Sequence, residues 1–260
     1  MKIAMVQMKV TAGDVAGNKE RGLTLINEAA LNADTIVLPE IWTIGYALKS
    51  VAEAAETMDG QLLTTLAGIA TNQKANIIAG SIPVKSNDNI YNCAIVLDRY
   101  GNVVASYQKV HLFSMYGEER FFAAGNKLCQ FVLDEATVGL GICYDLRFPE
   151  LFRSLALGGS QIVFVPAEWP AARGSHWRTL VQARAIENHM YVCAVNCVGE
   201  HKGSPFYGHS LLVSPDGEVV AEGGESEAII YGDVDLQKVA ESRQVMPSFN
   251  DRRPDLYVGV

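Results

Sequence analysis

Histidine is scarce, five in 260 residues, and none lies within thirty positions of Cys143 on either side. A cysteine–histidine pair formed by neighbours in sequence is therefore excluded. Cysteine is equally sparse: five residues, at 93, 129, 143, 193 and 197, an odd and scattered set that argues for reduced thiols over a disulfide framework. No second pair or clustered histidine completes a zinc site around Cys193 and Cys197, and "YVCAVNCVG" reads as a buried strand. No apolar run approaches the ~18 residues of a membrane span. The opening "MKIAMVQMKV" lacks a small-residue cleavage site and reads as a first strand, so a soluble, cytoplasmic protein is expected. An excess of basic residues is also missing. Twenty-one Lys and Arg against 29 Asp and Glu give a net charge of −8, which disfavours a nucleic-acid surface and leaves a small molecule as the expected partner. Pro/Ser-rich linkers, low-complexity segments and tandem repeats are absent too. Residues 1–260 are expected to form a single domain, with "GEHKGSPFYG" (199–208) as a surface loop and the tail from about 245 to 260 docking on the body or a neighbouring subunit.

What is present has an ordinary globular balance, 49% apolar and 19% charged. Short β-branched runs such as "KIAMVQ", "DTIVLP" and "NIIAG" alternate with longer helical patterns, the signature of an α/β protein. "IVLDRYGNVVASY" around Gly101 and "LLVSPDGEVVAEG" around Gly217 each read as strand, glycine turn, strand. One such hairpin in each half suggests a duplicated layout.

Three apolar runs stop on chemically potent groups: "TIVLPE" on Glu40, "VVASYQK" on Lys109 and "VGLGIC" on Cys143. In α/β folds the residues just beyond the carboxyl ends of strands line the functional crevice. Taken singly, Glu40 reads equally as a loop carboxylate, Lys109 as a solvated surface lysine and Cys143 as an inert buried thiol. Together they make a consistent site. Glu40 can serve as general base for the thiol. The Lys109 ammonium would favour a thiolate and the oxyanion formed when that thiolate attacks a carbonyl, with the backbone N–H of Tyr144 as second donor.

Glu40 in "LPE", Lys109 in "YQKVHLF" and Cys143 in "GICYDLRFPEL" resemble the Glu, Lys and Cys motifs of the nitrilase superfamily of carbon–nitrogen hydrolases, and the resemblance runs on to "RRPDLY". It implies a four-layer α-β-β-α sandwich with two packed mixed sheets, and association into homodimers or larger homo-oligomers. It also implies a second glutamate supporting the lysine; Glu118 aligns best, with Glu119 adjacent. "CYDLRFPELFR" looks most like the omega-amidase branch, which cleaves terminal amides of short 2-oxo acids such as 2-oxoglutaramate through a cysteine thioester. No metal or organic cofactor is required by that chemistry.

Arg147, four residues past the nucleophile, could grip a substrate carboxylate bidentately, or pair with Asp145 or Glu150. Trp169 and Arg173 stand where the same branch places substrate contacts, and Tyr46 is either a pocket wall or a core tyrosine. His176 and His189 read as packing or capping groups. Arg184 and Glu187 are suited to an i, i+3 ion pair near the site, and Arg252 and Arg253 to tail docking or an oligomer contact. The same triad also suits hydrolysis of N-carbamoyl compounds, aliphatic amides or nitriles. A non-catalytic sensor or interaction subunit is the reading outside enzymology.

Overall fold

The computed structural model describes residues 1–257. In chain order its first strands are β1 (Lys2–Gln7), β2 (Lys9–Thr11), β3 (Thr35–Val37), β4 (Asn76–Ser86), β5 (Asn89–Leu97), β6 (Val103–Gln108), β7 (Cys129–Leu133) and β8 (Ala136–Leu140). Then come β9 (Ile162–Ala167), β10 (Tyr191–Asn196), β11 (Val198–His201), β12 (Ser204–Pro205), β13 (Leu211–Val213), β14 (Val219–Glu222) and β15 (Ala228–Asp233). The α-helices are α1 (Val15–Ala29), α2 (Val51–Ala54), α3 (Gln61–Gln73), α4 (Pro149–Leu157), α5 (Gly174–Asn188) and α6 (Gln237–Val245). Among these residues no helix is long and apolar enough to cross a membrane.

The two-residue period of a strand divides the apolar side chains between two cores. Ile3 and Met5 of β1, Val37 of β3 and Ile78 of β4 enter one; Ala4 and Val6, Ile36 and Ile77 enter the other. Strands apolar on both faces need a covering layer on each side. One sheet, ordered β15-β1-β3-β4-β5-β6, packs its inner face on a second, ordered β14-β13-β10-β9-β8-β7. Its outer face is covered by α1 and α3 through Ile26, Leu62, Leu63 and Leu66, while α4 and α5 cover the second sheet through Phe152, Leu155, Trp177 and Val181. Both sheets are mixed: β1, β3 and β4 run parallel, as do β8, β9 and β10, and the remaining pairs in the two sheets are antiparallel. This is the four-layer sandwich expected from the sequence.

The two hairpins are the clearest trace of duplication. β5–β6 turns at Gly101 and β13–β14 at Gly217, both glycines at φ +84°, and each pair carries a register shift near the turn. Residues 199–208 are not a plain loop. Val198–Glu200 pair with Lys9–Thr11, and β12 folds back on β11, making a small third sheet that satisfies the edge of β2.

The tail divides in two. His189 shares a 2.8 Å hydrogen bond with Ser248, and Phe249 lies under the guanidinium groups of Arg153 and Arg243 at 5.2 and 5.5 Å. Farther along, Arg253 pairs with Asp255 at 2.7 Å and Arg252 lies over Tyr257, so these two cations engage the tail itself. The end of the expected docking segment, residues 258–260, lies outside the described residues.

Candidate active site

Glu40 lies just beyond β3, Lys109 directly after β6, and Cys143 just beyond β8. Glu40 is anchored between the sheets, its N–H donating to the Ala167 carbonyl at 3.4 Å. The backbone beside it is strained: Ile41, β-branched, has φ +31°, and its N–H is held by Ser81 Oγ at 2.9 Å. Gly80 makes that close approach possible, since a Cβ there would stand 2.0 Å from the Pro39 carbonyl oxygen. Lys109 is fixed at both backbone groups, its N–H on Asn92 O and its carbonyl accepting from Gly125, each at 2.9 Å.

The side chains meet without water-exposed surface. Lys109 Nζ is 2.7 Å from Glu40 Oε1 and 3.0 and 2.9 Å from the two Glu118 oxygens, all three residues fully buried. Asn92 Nδ2 also donates to Glu40 Oε1 at 2.9 Å, and the Glu168 N–H to Oε2 at 3.0 Å. Glu118 is further oriented by the Phe113 N–H at 2.8 Å and the Tyr46 hydroxyl at 3.2 Å. Glu119, the adjacent candidate, is exposed and pairs with Arg120. The choice between the two therefore falls on Glu118.

Cys143 is itself in left-handed backbone, φ +44°, on a short 3-10 turn spanning Cys143–Arg147. Asp145 fixes that turn. Its carboxylate accepts from the Ile142 N–H (2.8 Å), the Tyr107 hydroxyl (2.8 Å) and the His111 N–H (3.1 Å), and lies 2.7 Å from His111 Nδ1. The ring of His111 stacks on Phe148. The segment carrying Lys109 and the turn carrying Cys143 are thus tied through one buried carboxylate. Arg184 holds the far end of the turn, Nε to Leu146 O at 3.1 Å, and pairs with Glu187 at 2.9 Å as the sequence spacing suggests.

Burial raises the proton affinity of the Glu40 carboxyl; Lys109 opposes the rise and Glu118 reinforces it. Burial and the Glu40 charge push the Cys143 thiol well above its ordinary value, outweighing the pull of Lys109. For Lys109, burial works against the charge, but Glu118 and Glu40 together hold the ammonium. The raised proton affinity of the thiol favours protonated Cys143 over a preformed thiolate.

A narrow cleft is lined by Tyr46, Cys143, Tyr144, Arg147, Trp169 and Arg173, together with Phe113, Glu168 and Pro170. All the expected substrate contacts thus share one space. Arg147 pairs with neither Asp145 nor Glu150: its guanidinium lies 4.7 Å over the Trp169 ring, with Nη2 3.4 Å from His176 Nδ1. Arg173 reaches Met115 and Phe113. Neither arginine makes a salt bridge among the described residues. His176 therefore borders the site, while His189 caps α5 at φ +45°. Two residues that donate to the Glu40 carboxylate were not singled out in sequence: Asn92, inside β5, and Glu168, which ends "IVFVPAE" as Glu40 ends "TIVLPE".

The family profile for Carbon-nitrogen hydrolase matches residues 2–244. The chain belongs to the carbon–nitrogen hydrolase family. It is 38% identical to 2-oxoglutaramate amidase of Bacillus subtilis over 98% of each chain. It is 36% identical to omega-amidase NIT2 of Pongo abelii, over 98% of this chain and 96% of the relative. Among solved structures it is similar to Saccharomyces cerevisiae Nit3, a member of branch 10 of the nitrilase superfamily, with a TM-score of 0.89 at 30% identity over 95% of this chain and 94% of that one. As a carbon–nitrogen hydrolase the protein is an enzyme.

Proposed function

We propose that this carbon–nitrogen hydrolase is an amidase that cleaves the terminal amide of a small carboxylate-bearing substrate, 2-oxoglutaramate or a similar 2-oxo acid amide, through a thioester on Cys143. The observation that carries the reading is the pairing, in one narrow cleft, of a thiol beside a buried carboxylate–ammonium cluster with two arginines that have no acidic partner. The amidase relatives at 36–38% identity support it. The cluster supplies attack and the arginines supply a reason for an anionic substrate. A wider cleft sharing Tyr46 is lined by Lys49, Arg120 and Lys202, basic groups that would draw an anion inward on a chain of net charge −8.

In this reading Glu40 takes the Cys143 proton as sulfur bonds to the amide carbon, and the carbonyl electron pair moves to oxygen. One Lys109 N–H shared between the Glu118 oxygens leaves another for that oxyanion. The Tyr144 N–H, in the leading turn of the 3-10 segment and so without a partner inside it, is the second donor. The C–N bond then breaks as Glu40 returns the proton to nitrogen, and ammonia leaves. Water attacks the thioester, giving its proton to Glu40; the C–S bond breaks, the acid departs and sulfur is reprotonated. Glu118 holds the ammonium in place through both carboxylate oxygens.

Mass spectrometry of enzyme quenched during turnover tests the covalent step: an acyl adduct on Cys143 is expected, absent in Cys143→Ala. Full activity in that variant would refute the reading. Ammonia release from 2-oxoglutaramate, N-carbamoyl amino acids, an uncharged aliphatic amide and a nitrile tests the substrate class, with the first favoured. We further propose a cytoplasmic enzyme that self-associates. Val245, Met246, Leu256 and Tyr257 expose apolar surface along the tail, which supports burial against a second copy.

A further inference from the structure

Glu168 has no role in the reaction just described, yet its position is unusual for an acid. It is 1% exposed, and neither carboxyl oxygen has a hydrogen-bond partner. Buried polar groups in native proteins are nearly always paired. Its surroundings offer nothing adequate: a Cβ on Gly45 would stand 3.6 Å from Oε1, and the buried Cys197 thiol, which lies close, falls outside hydrogen-bond geometry and is a weak donor. The residue instead lines the cleft with Cys143 and Tyr46. Its own N–H is on Glu40 Oε2, so this carboxyl adjoins the base.

We propose that Glu168 recognises the substrate's amide nitrogen, a carboxyl oxygen accepting one N–H of the –C(=O)NH2 group held over Cys143. The inference rests on the amidase reading above and adds to it the group that distinguishes an amide from other acyl compounds. Cys143, Tyr46 and Glu168 are the buried members of the cleft lining together with Trp169, whereas Arg147 and Arg173 are half-buried. The reacting amide thus belongs at the Glu168 end and a substrate carboxylate at the arginine end. There the amide oxygen faces Lys109 and the Tyr144 N–H, and the nitrogen presents two donors that need acceptors. Glu40 faces one and Glu168 the other.

Burial and the neighbouring Glu40 charge keep the Glu168 carboxyl protonated well above the usual carboxylate range, so it accepts through its carbonyl oxygen and adds no second anion beside the base. A secondary amide would press its N-substituent against this wall, and an ester has no N–H to offer. The contact exists only in the first half of the cycle, because the thioester has lost the nitrogen.

Glu168→Leu, which keeps the bulk and removes the acceptor, tests this, with kcat/KM measured on a primary amide and on the methyl ester of the same acid. The amide-to-ester ratio is expected to fall about tenfold or more, with Tm unchanged or higher because an unpaired buried polar group is gone. Glu168→Gln, retaining a carbonyl acceptor, is expected to recover at least about fivefold of the ratio lost. An unchanged ratio in the leucine variant, or equal losses on amide and ester with a lower Tm, would overturn the inference. Cys143→Ala run beside them separates the two claims: persistence of activity there defeats the amidase reading itself, whatever Glu168 does.

Discussion

Lys109 and Glu118 face each other fully buried, Nζ 3.0 and 2.9 Å from the two carboxylate oxygens, so the ammonium that also touches Glu40 cannot swing away. Removing one member of such a pair strands the other's charge in the interior. Glu118→Ala is expected to lower stability by about 3–5 kcal/mol and kcat by about 10²-fold or more. Denaturant unfolding and steady-state ammonia release measure the two losses; a variant as stable and active as the parent would show that Glu118 does not position Lys109.

The pH dependence has a definite sign. Burial raises the Glu40 pKa against the opposing charge of Lys109, and only the ionised carboxylate can take the thiol proton. The rate therefore falls as pH drops through that raised value. A kcat/KM profile is expected to show an acid limb with its midpoint above the ~4.3 of an ordinary glutamate. In Glu40→Gln the limb should vanish along with at least about 10²-fold in rate.

Arg147 lies over Trp169 without a carboxylate partner. Arg147→Met keeps much of the packing and removes the charge. On a carboxylate-bearing amide kcat/KM should fall by about 10- to 100-fold, chiefly through KM, the range expected for a lost charge-assisted hydrogen bond. An uncharged amide of equal length should be nearly unaffected. Equal losses on both would count against the clamp.

Gly80 has φ +60° and would place any Cβ 2.0 Å from Pro39 O. Gly80→Ala cannot be accommodated by a rotamer change; the segment leading to Glu40 must move. We expect a lower Tm together with a lower kcat, since about 1 Å of misplacement at a reacting group can cost 10²-fold. A drop in Tm with unchanged kcat would mean the strain is absorbed away from Glu40.

Glu40, Lys109 and Cys143 were legible in the sequence because each halts a β-branched run, and strand ends converge in an α/β fold. The same rule points to Glu168, which ends the run "IVFVPAE". Asn92 carries no such signal: it sits mid-strand among apolar residues, and only the packing shows its amide on Glu40. In sequence Asp145 stands out only as a candidate partner of Arg147. Beside the local Ile142 N–H, its partners Tyr107 and His111 lie 38 and 34 positions away, a distance that local spacing cannot bridge. The short strands β11 and β12 are not legible in sequence because polar residues and glycine mask pairing that depends on the exposed edge of β2.

The pairing of β1 with β15 sets a timetable for synthesis. Met5 sits beside Val37 on one flank and Ile230 on the other, so the first strand leaves the ribosome long before its second neighbour exists. Until then one backbone edge stands open to any passing strand. Nascent chains truncated before residue 228 should therefore aggregate or recruit chaperones, although every group of the Glu–Lys–Glu–Cys cluster has already been translated.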